Sequence, residues 1–598
     1  MHSPTEEQSQ AIEAYLTGEN LRIEALAGTG KTTTLRMLVE RGSPRRGKVL
    51  YTSFGAKVIK DAKARFPSAC RVATNHSLAW GVGKGYRDAG RLQGQVTPYQ
   101  LIQHFGWRDQ HFAPYADARA GAYAVREAVN AFCQSADTQI TTAHALSACR
   151  RICRGDLANA TRLAVTVAGM ANEVWAASID PTSTLGVSHD TYLKAWALTS
   201  PRINATTILL DEAQDTSELM VDLLQKQDHA QLVIVGDRYQ AIYAWRGAIS
   251  SMDAFEFAHS TSLTQSFRFG DEIAEVANAI LEDQCNSTVK LRGYAAHDSV
   301  LGPTDAPHCY LARTNAVLVG QLFEINRRTP GYKVGVVGGT ADMVKLVEAA
   351  AKLKKSEPVQ HPELAEFSHW GQVHQAVQEE AYSHLRGLVT LVDEYGTANL
   401  LSTLDRIGGN ELDPESCDVL LSTAHKAKGS EFQSVKLLDD FVPKGPDEDP
   451  GSTGWTPECG NLLYVAATRA QMQLDATDCS AVVGSLPPSV NLWASMEGYR
   501  EDEGQQSYSD ADAFEPTHEA WAPRLLEGQW PHPLIKNGVI TVTQDDGQLH
   551  VAVEAQGHAL FEASGSLQVV HWDEDKAAVL IGTGWLEVPI EAMENLHA

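Results

Sequence analysis

An apolar run, Leu21-Arg22-Ile23-Glu24-Ala25-Leu26, stops at the turn Ala27-Gly28-Thr29-Gly30, and a helical pattern begins at once with Lys31. A strand that feeds a helix through a glycine turn constrains this chain more than any other feature. The glycines let the backbone bend tightly, and the first turn of the helix offers unpaired N–H groups to an anion. This is the context a P-loop requires. In it Ala27, Gly28, Thr29, Gly30 and Thr33 line a phosphate cradle, Lys31 reaches the terminal phosphates, and the Thr32 hydroxyl is a ligand for Mg²⁺. The first position of the loop is Ala25 rather than glycine, a break from the strict pattern.

A chance glycine-rich turn is the plainer reading of that segment alone. It loses ground to a second element, Ile208-Leu209-Leu210-Asp211-Glu212-Ala213-Gln214-Asp215. An apolar strand there delivers two carboxylates at its C-terminal end, where ligands bind in open α/β sheets. Asp211 is the candidate holder of Mg²⁺, mainly through water, and Glu212 the candidate that polarises the attacking water.

The surrounding pattern is α/β. Strands are expected at residues 21–26, 48–54, 207–210 and 232–235, with helices between, which implies a parallel sheet. Residues 83–200 read as mostly helical, for example 122–135 and 157–177. A second α/β set is expected from about residue 263, with strands at 309–312, 334–337, 419–421 and 435–438, interrupted by helices over 341–414. Acidic, Ser/Gln-rich residues 501–515 read as linker. Beyond them, strands at 539–543, 549–554, 567–572, 577–581 and 585–590 alternate with turn residues, the texture of a small antiparallel β module.

The formal net charge of −26 first argues against a nucleic-acid binder. Its distribution changes that reading. Residues 501–598 hold 18 Asp and Glu against three basic residues, so more than half of the excess lies in this C-terminal stretch, linker and module together. A motor needs only a local basic and aromatic track. No apolar run is long enough to span a bilayer and no secretory signal precedes the first helix, so a soluble, cytoplasmic protein without a membrane partner is expected. The nine cysteines are spaced as ordinary reduced thiols.

Further motifs fall in a fixed order. Gln8 precedes the P-loop, and Thr74-Asn75-His76-Ser77-Leu78 follows the second strand. Then come Val235-Gly236-Asp237-Arg238-Tyr239-Gln240-Ala241-Ile242-Tyr243-Ala244-Trp245-Arg246-Gly247-Ala248, Gln265-Ser266-Phe267-Arg268 and Arg313-Thr314-Asn315. The last two are Ser422-Thr423-Ala424-His425-Lys426-Ala427-Lys428-Gly429-Ser430-Glu431-Phe432 and Leu463-Tyr464-Val465-Ala466-Ala467-Thr468-Arg469-Ala470. As a set they resemble the UvrD/Rep-like superfamily 1 DNA helicases. Within that branch the sequence looks most like the helicase core of the F-box DNA helicases, on Gly28-Thr29-Gly30-Lys31-Thr32-Thr33-Thr34-Leu35, Ser188-His189-Asp190-Thr191-Tyr192-Leu193-Lys194-Ala195-Trp196 and His425-Lys426-Ala427-Lys428-Gly429. No F-box is expected ahead of the core, so a ubiquitin-ligase role is not carried over.

The resemblance implies roles. Gln8 reads adenine and Phe267 stacks on it, Gln240 senses the γ-phosphate, Arg268 and Arg469 contact it across a cleft, and Glu431 serves the ribose. Phe54, Thr74, His76, Tyr243, Trp245, Arg246, Arg313, Asn315, Thr423 and His425 face DNA. The same resemblance implies two RecA-like motor domains. One comprises residues 1–82 and 203–264 around a helical insertion (83–202). The other comprises 265–340 and 415–485 around a shorter one (341–414). An acidic linker (486–530) and the β-rich module (531–598) follow. ATP and Mg²⁺ are the implied cofactors, single-stranded DNA and duplex junctions the implied substrates, and 3′-to-5′ unwinding the implied activity. The alternative is a DNA-stimulated ATPase that serves as motor or switch of a larger complex. A protein partner is expected at the acidic module. Two departures stand out: Ser53-Phe54-Gly55-Ala56-Lys57 replaces the usual Thr-Phe-Asn-Lys, and Ser430 replaces an apolar residue.

Overall fold

The computed structural model describes residues 3–486 except 43–44, 154, 244–250, 305, 330, 360, 362–363, 365–366, 379–384, 408–415 and 442–455, and beyond residue 523 the strands named below. It forms two units, residues 1–504 and 505–598.

The first unit is built on two six-stranded parallel sheets. The first contains β1 (Leu21–Ala25), β2 (Val49–Ser53), β3 (Cys70–Thr74), β4 (Thr207–Leu210), β5 (Gln231–Gly236) and β6 (His259–Leu263), in the order β3-β2-β4-β5-β1-β6. β4 and β5 are buried along their whole length, as expected of strands covered on both faces. Their side chains alternate between two cores. Val233 and Val235 meet Leu35, Leu38 and Ile59 on one face, while Leu232 and Ile234 meet Leu193, Leu219 and Leu223 on the other. The sequence pattern places the start of the second α/β set near Leu263. Residues 259–263, for which no strand was expected, form β6, which pairs with β1 in register, Ala25 opposite Leu263, and closes the first sheet.

The second sheet contains β7 (Val300–Leu301), β8 (Cys309–Ala312), β9 (Val334–Val336), β10 (Val419–Thr423), β11 (Phe432–Leu437) and β12 (Ala470–Asp475), in the order β7-β12-β11-β8-β10-β9. β9 and β10 are neighbours although helices Ala341–Lys354, Trp370–Gln378, Arg386–Glu394 and Thr397–Ile407 lie between them in sequence. Those helices own a separate core around Leu353, Val373, Val392 and Leu404.

The insertion in the first sheet is helical too. Helices Ala118–Gln134, Thr142–Ile152 and Leu157–Ile179 share a core that includes Phe132, Cys149, Leu163 and Val167. Lys194, fully buried on helix His189–Ala197, ties this insertion down. Its ammonium donates to the carbonyls of Ser135 (2.7 Å) and Asp137 (2.6 Å) and stands 4.1 Å from the centre of the Phe132 ring.

The second unit is antiparallel. Gly528–Pro531, Gly538–Asp545, Gln548–Ala555 and His558–Gly565 form one sheet, and Leu567–Trp572, Lys576–Ile581 and Gly584–Pro589 another. His558–Gly565 was not anticipated from the sequence. Arg524–Leu525 and all but the last residue of Gly528–Pro531 are strands within the stretch read as linker. Asp573-Glu574-Asp575, which the sequence pattern reads as part of a hairpin turn, lie outside the described residues.

Candidate nucleotide and nucleic-acid site

β1 ends at the P-loop. Gly28 and Gly30 take positive φ, +73° and +79°, which explains why glycine stands there. Gly30 precedes helix Lys31–Glu40, and no side chain caps that helix, so its first N–H groups are left for an anion. A β-carbon at Gly28 would collide with Ser266 and Arg268, and the Phe267 N–H donates to the Gly28 carbonyl (2.9 Å). The segment after β6 is therefore seated on the loop. Atoms of Gln8 and Phe267 are the ones nearest to where a Gly30 side chain would stand. Gln8 is buried, with its amide nitrogen 3.2 Å from Thr34 Oγ1, while the Phe267 ring is 39% exposed and open to a planar ligand.

The carboxylates come from the end of β4. Thr32 Oγ1 donates to Asp211 Oδ2 at 3.0 Å, and the buried Tyr51 hydroxyl, from β2, donates to the same oxygen at 2.5 Å. Lys31 Nζ lies 3.4 Å from Glu212 Oε2. Glu212 is a non-glycine residue at φ +53°, ψ +46°, backbone strain of the kind concentrated at functional sites. Burial and the adjacent Glu212 charge push the Asp211 carboxyl up. Burial opposes the charge on Glu212 as well, but Lys31 and Lys428 outweigh it and hold the group down as a carboxylate. The Lys31 ammonium is buried, and the surrounding Glu212, Asp237 and Asp211 charges more than offset that cost. The open helix terminus, the lysine and the hard oxygen donors of Thr32 and Asp211 fit a nucleoside triphosphate with Mg²⁺.

The second sheet faces this cradle. Gln240 is buried and its amide donates to Asp237 Oδ2 (2.7 Å). Tyr464, on helix Pro457–Ala467, brings its hydroxyl to the Ala27 N–H (2.9 Å) and to Asp237 Oδ2 (3.3 Å). Lys428 Nζ reaches both oxygens of Asp215 (2.8 and 2.6 Å) and the Gln240 carbonyl (2.6 Å), and stands 5.0 Å from the Tyr243 ring centre. Tyr464, Lys428, Asp215 and Tyr51 had been given no role from the sequence. The first three lie inside the motifs already quoted; Tyr51 carried no signal.

The two arginines are held by their own side of the cleft. Arg268 Nε and Nη2 contact Glu431 Oε1 (2.8 and 2.7 Å), and Nη1 donates to the Thr468 carbonyl (2.8 Å). Glu431, expected at the ribose, is thus the partner of Arg268. Arg469 is buried and donates to the carbonyls of Val465 (2.8 Å) and Ser430 (3.3 Å) and to Thr468 Oγ1 (3.2 Å).

The residues expected at DNA fall into two groups. Phe54, just after β2, lies 6.1 Å ring to ring from His76, and His76 Nε2 is 2.8 Å from Asp190 Oδ1. Thr74 caps the short helix Asn75–Leu78 through the Ser77 N–H. In the second group Tyr243 donates its hydroxyl to the His425 carbonyl (3.2 Å), and Thr423 caps helix Ala424–Ala427. Burial, with the Arg313 and Lys428 charges, pushes the His425 imidazole down, so it stays neutral. The Arg313 N–H donates to Asp440 (2.7 Å), and Asn315 opens helix Asn315–Arg328. Trp245 and Arg246 lie outside the described residues.

Residues 4–256 match the UvrD/REP helicase N-terminal domain, and residues 332–480 the UvrD-like helicase C-terminal domain. The chain is 30% identical over 514 residues to F-box DNA helicase protein 1 of Schizosaccharomyces pombe, covering 79% of this chain and 57% of that protein. It is 28% identical over 491 residues to F-box DNA helicase 1 of Gallus gallus, covering 76% and 47%. DNA helicase II of Escherichia coli matches at 34% over 104 residues, 16% of this chain and 14% of that one. The chain thus spans about half the length of its F-box relatives. With both halves of the core matched in order and two parallel α/β sheets facing one cradle, the chain belongs to the UvrD/Rep-like superfamily 1 helicase family.

Proposed function

We propose that the chain is an ATP- and Mg²⁺-dependent DNA translocase that moves 3′ to 5′ on single-stranded DNA and unwinds duplex DNA. The observation that carries this reading is the joint between the sheets. Groups of the second sheet, Tyr464 and Lys428, end on the P-loop, on Asp237 beside Gln240, and on Asp215 four residues after Asp211. A change at the phosphate cradle is therefore passed directly to the element that carries Tyr243. Bound Mg²⁺ supplies charge neutralisation to the phosphates, with Thr32 and Asp211 as its holders. Lys31 binds the terminal phosphates, Glu212 takes the proton of the attacking water, and Gln240 senses the γ-phosphate.

Arg268 and Arg469 exchange their Glu431 and carbonyl contacts for the phosphate as the cleft closes. That exchange makes closure depend on nucleotide, and an arginine delivered in this way is worth orders of magnitude in rate. The 3′-to-5′ direction rests on family resemblance alone.

The test measures ATP hydrolysis with and without single-stranded DNA, with single-stranded RNA alongside, and strand displacement on duplexes with 3′ or 5′ tails. DNA-stimulated turnover with displacement from 3′ tails is expected. Turnover without displacement on either tail rejects unwinding in favour of a switch or motor subunit. Lys31→Ala is expected to abolish turnover and keep DNA binding; DNA-stimulated hydrolysis in that variant rejects the site.

A further inference from the structure

Residues 56–90 carry seven Lys and Arg against two Asp, in a chain whose acidic residues outnumber its basic ones by 26. This segment includes β3, the edge strand of the first sheet, and the helix Trp80–Asp88 that follows the Thr74–His76 motif. Trp80, Lys84 and Arg87 stand at i, i+4 and i+7 on that helix and form one stripe. All three are exposed, Trp80 by 36%, a large fraction for an indole. Among the described residues Lys84 makes no hydrogen bond or ion pair. Arg87 lies 5.3 Å from the Trp80 ring centre and otherwise pairs with its neighbour Asp88, an exposed contact of little energetic weight. Gly81 and Gly85, beside the stripe, face open space, so a ligand backbone can approach closely.

The stripe is continuous with residues already assigned to DNA. Ring contacts run from Phe54 to His76 (6.1 Å), His76 to Tyr192 (6.2 Å) and Tyr192 to Trp80 (6.2 Å). The helix is fixed in place, because a β-carbon at Gly83 would lie 3.0 Å from the Tyr192 ring. An aromatic face flanked by two cations, rigidly held and joined to a candidate strand path, suits one ligand chemistry: stacked bases with a phosphodiester backbone.

We propose that Trp80, Lys84 and Arg87 extend the single-strand track beyond Phe54 and His76, with Trp80 stacking on a base and Lys84 and Arg87 neutralising phosphates. The inference rests on the motor reading above. Its test is binding of fluorescein-labelled oligothymidylate to the full chain across a salt series. Trp80→Ala is expected to weaken binding about fivefold or more, with Trp80→Phe restoring most of it. Lys84→Glu and Arg87→Glu are expected to flatten the salt dependence by about 0.7 in log–log slope for each phosphate no longer neutralised. Lys290→Glu, on the surface of the second motor region, is the control and should change neither. Thermal melting of each variant confirms that it folds.

Unchanged affinity in Trp80→Ala, together with an unchanged slope in Lys84→Glu, overturns the proposal. So does an equal loss on blunt duplex, whose stacked bases cannot receive an indole. No binding of any single strand by the unaltered chain rejects the motor reading itself, a separate result.

Discussion

The Tyr464 hydroxyl, carried by a helix of the second sheet, accepts the Ala27 N–H at the mouth of the P-loop at 2.9 Å. Both partners are fully buried, so water cannot replace the bond. Tyr464→Phe keeps the ring and orphans the N–H. A buried unsatisfied donor costs about 1–3 kcal/mol. Denaturant unfolding should show that loss, and DNA-stimulated ATP turnover should fall with it. An unchanged midpoint and unchanged turnover would mean that the bond does not join the sheets.

The Lys428–Asp215 pair is almost fully buried at 2.6 Å. Burial pushes the Asp215 carboxyl up to about 6 despite its lysine partner, a sign of how much desolvation costs here. Removing one partner leaves a charge without compensation, which costs about 3–5 kcal/mol. Lys428→Met and Asp215→Asn are each expected to destabilise strongly, and the double variant by much less than the sum. A double-mutant cycle on melting data measures this coupling; additive losses would contradict it.

Gln8 and Phe267 meet at Gly30 from two segments more than 250 residues apart in sequence. The Gln8 side chain already accepts from the Thr5 N–H (3.1 Å) and donates to Thr34 (3.2 Å), which fixes the amide and leaves one N–H and one lone pair for a purine edge. Gln8→Ala should reduce the preference for ATP over GTP about tenfold, read as the ratio of kcat/KM values. Phe267→Ala should raise KM for both nucleotides alike.

Burial pushes the Lys194 ammonium down to about 8, against an ordinary value of 10.5. The folded state therefore binds fewer protons than the unfolded chain between those values. Stability contributed by this site rises as pH increases from about 8 to 10.5. Lys194→Met removes the donors to the Ser135 and Asp137 carbonyls and the titrating group together. The variant should melt below the unaltered protein at pH 8, and the gap should widen towards pH 10. A gap that narrows with pH would place the charged form as the favoured one.

The site was more legible than the surface around it. The P-loop and the Asp211-Glu212 element could be found because each is a local pattern, a strand end with fixed neighbours, and β-strand periodicity marks where it ends. The strand β6 was not anticipated, because sheet partnership is non-local: nothing in His259–Leu263 states that it pairs with β1. β3 was missed for a related reason, since an edge strand is only partly buried and lacks an unbroken apolar run. In the second unit His558–Gly565 passed unnoticed, its apolar positions broken by Glu562, Ser564 and Gly565.

The sequence by itself determined the order of the motifs and the residue types that can hold a triphosphate, because those depend on short-range backbone geometry and side-chain chemistry. Only the tertiary structure decided which charges are satisfied. It paired Arg268 with Glu431, buried Lys428 against Asp215, and set Tyr464 on Ala27, each across more than 150 residues of chain. Such pairings cannot be read from sequence spacing, because only the folded chain brings segments so far apart in sequence into contact.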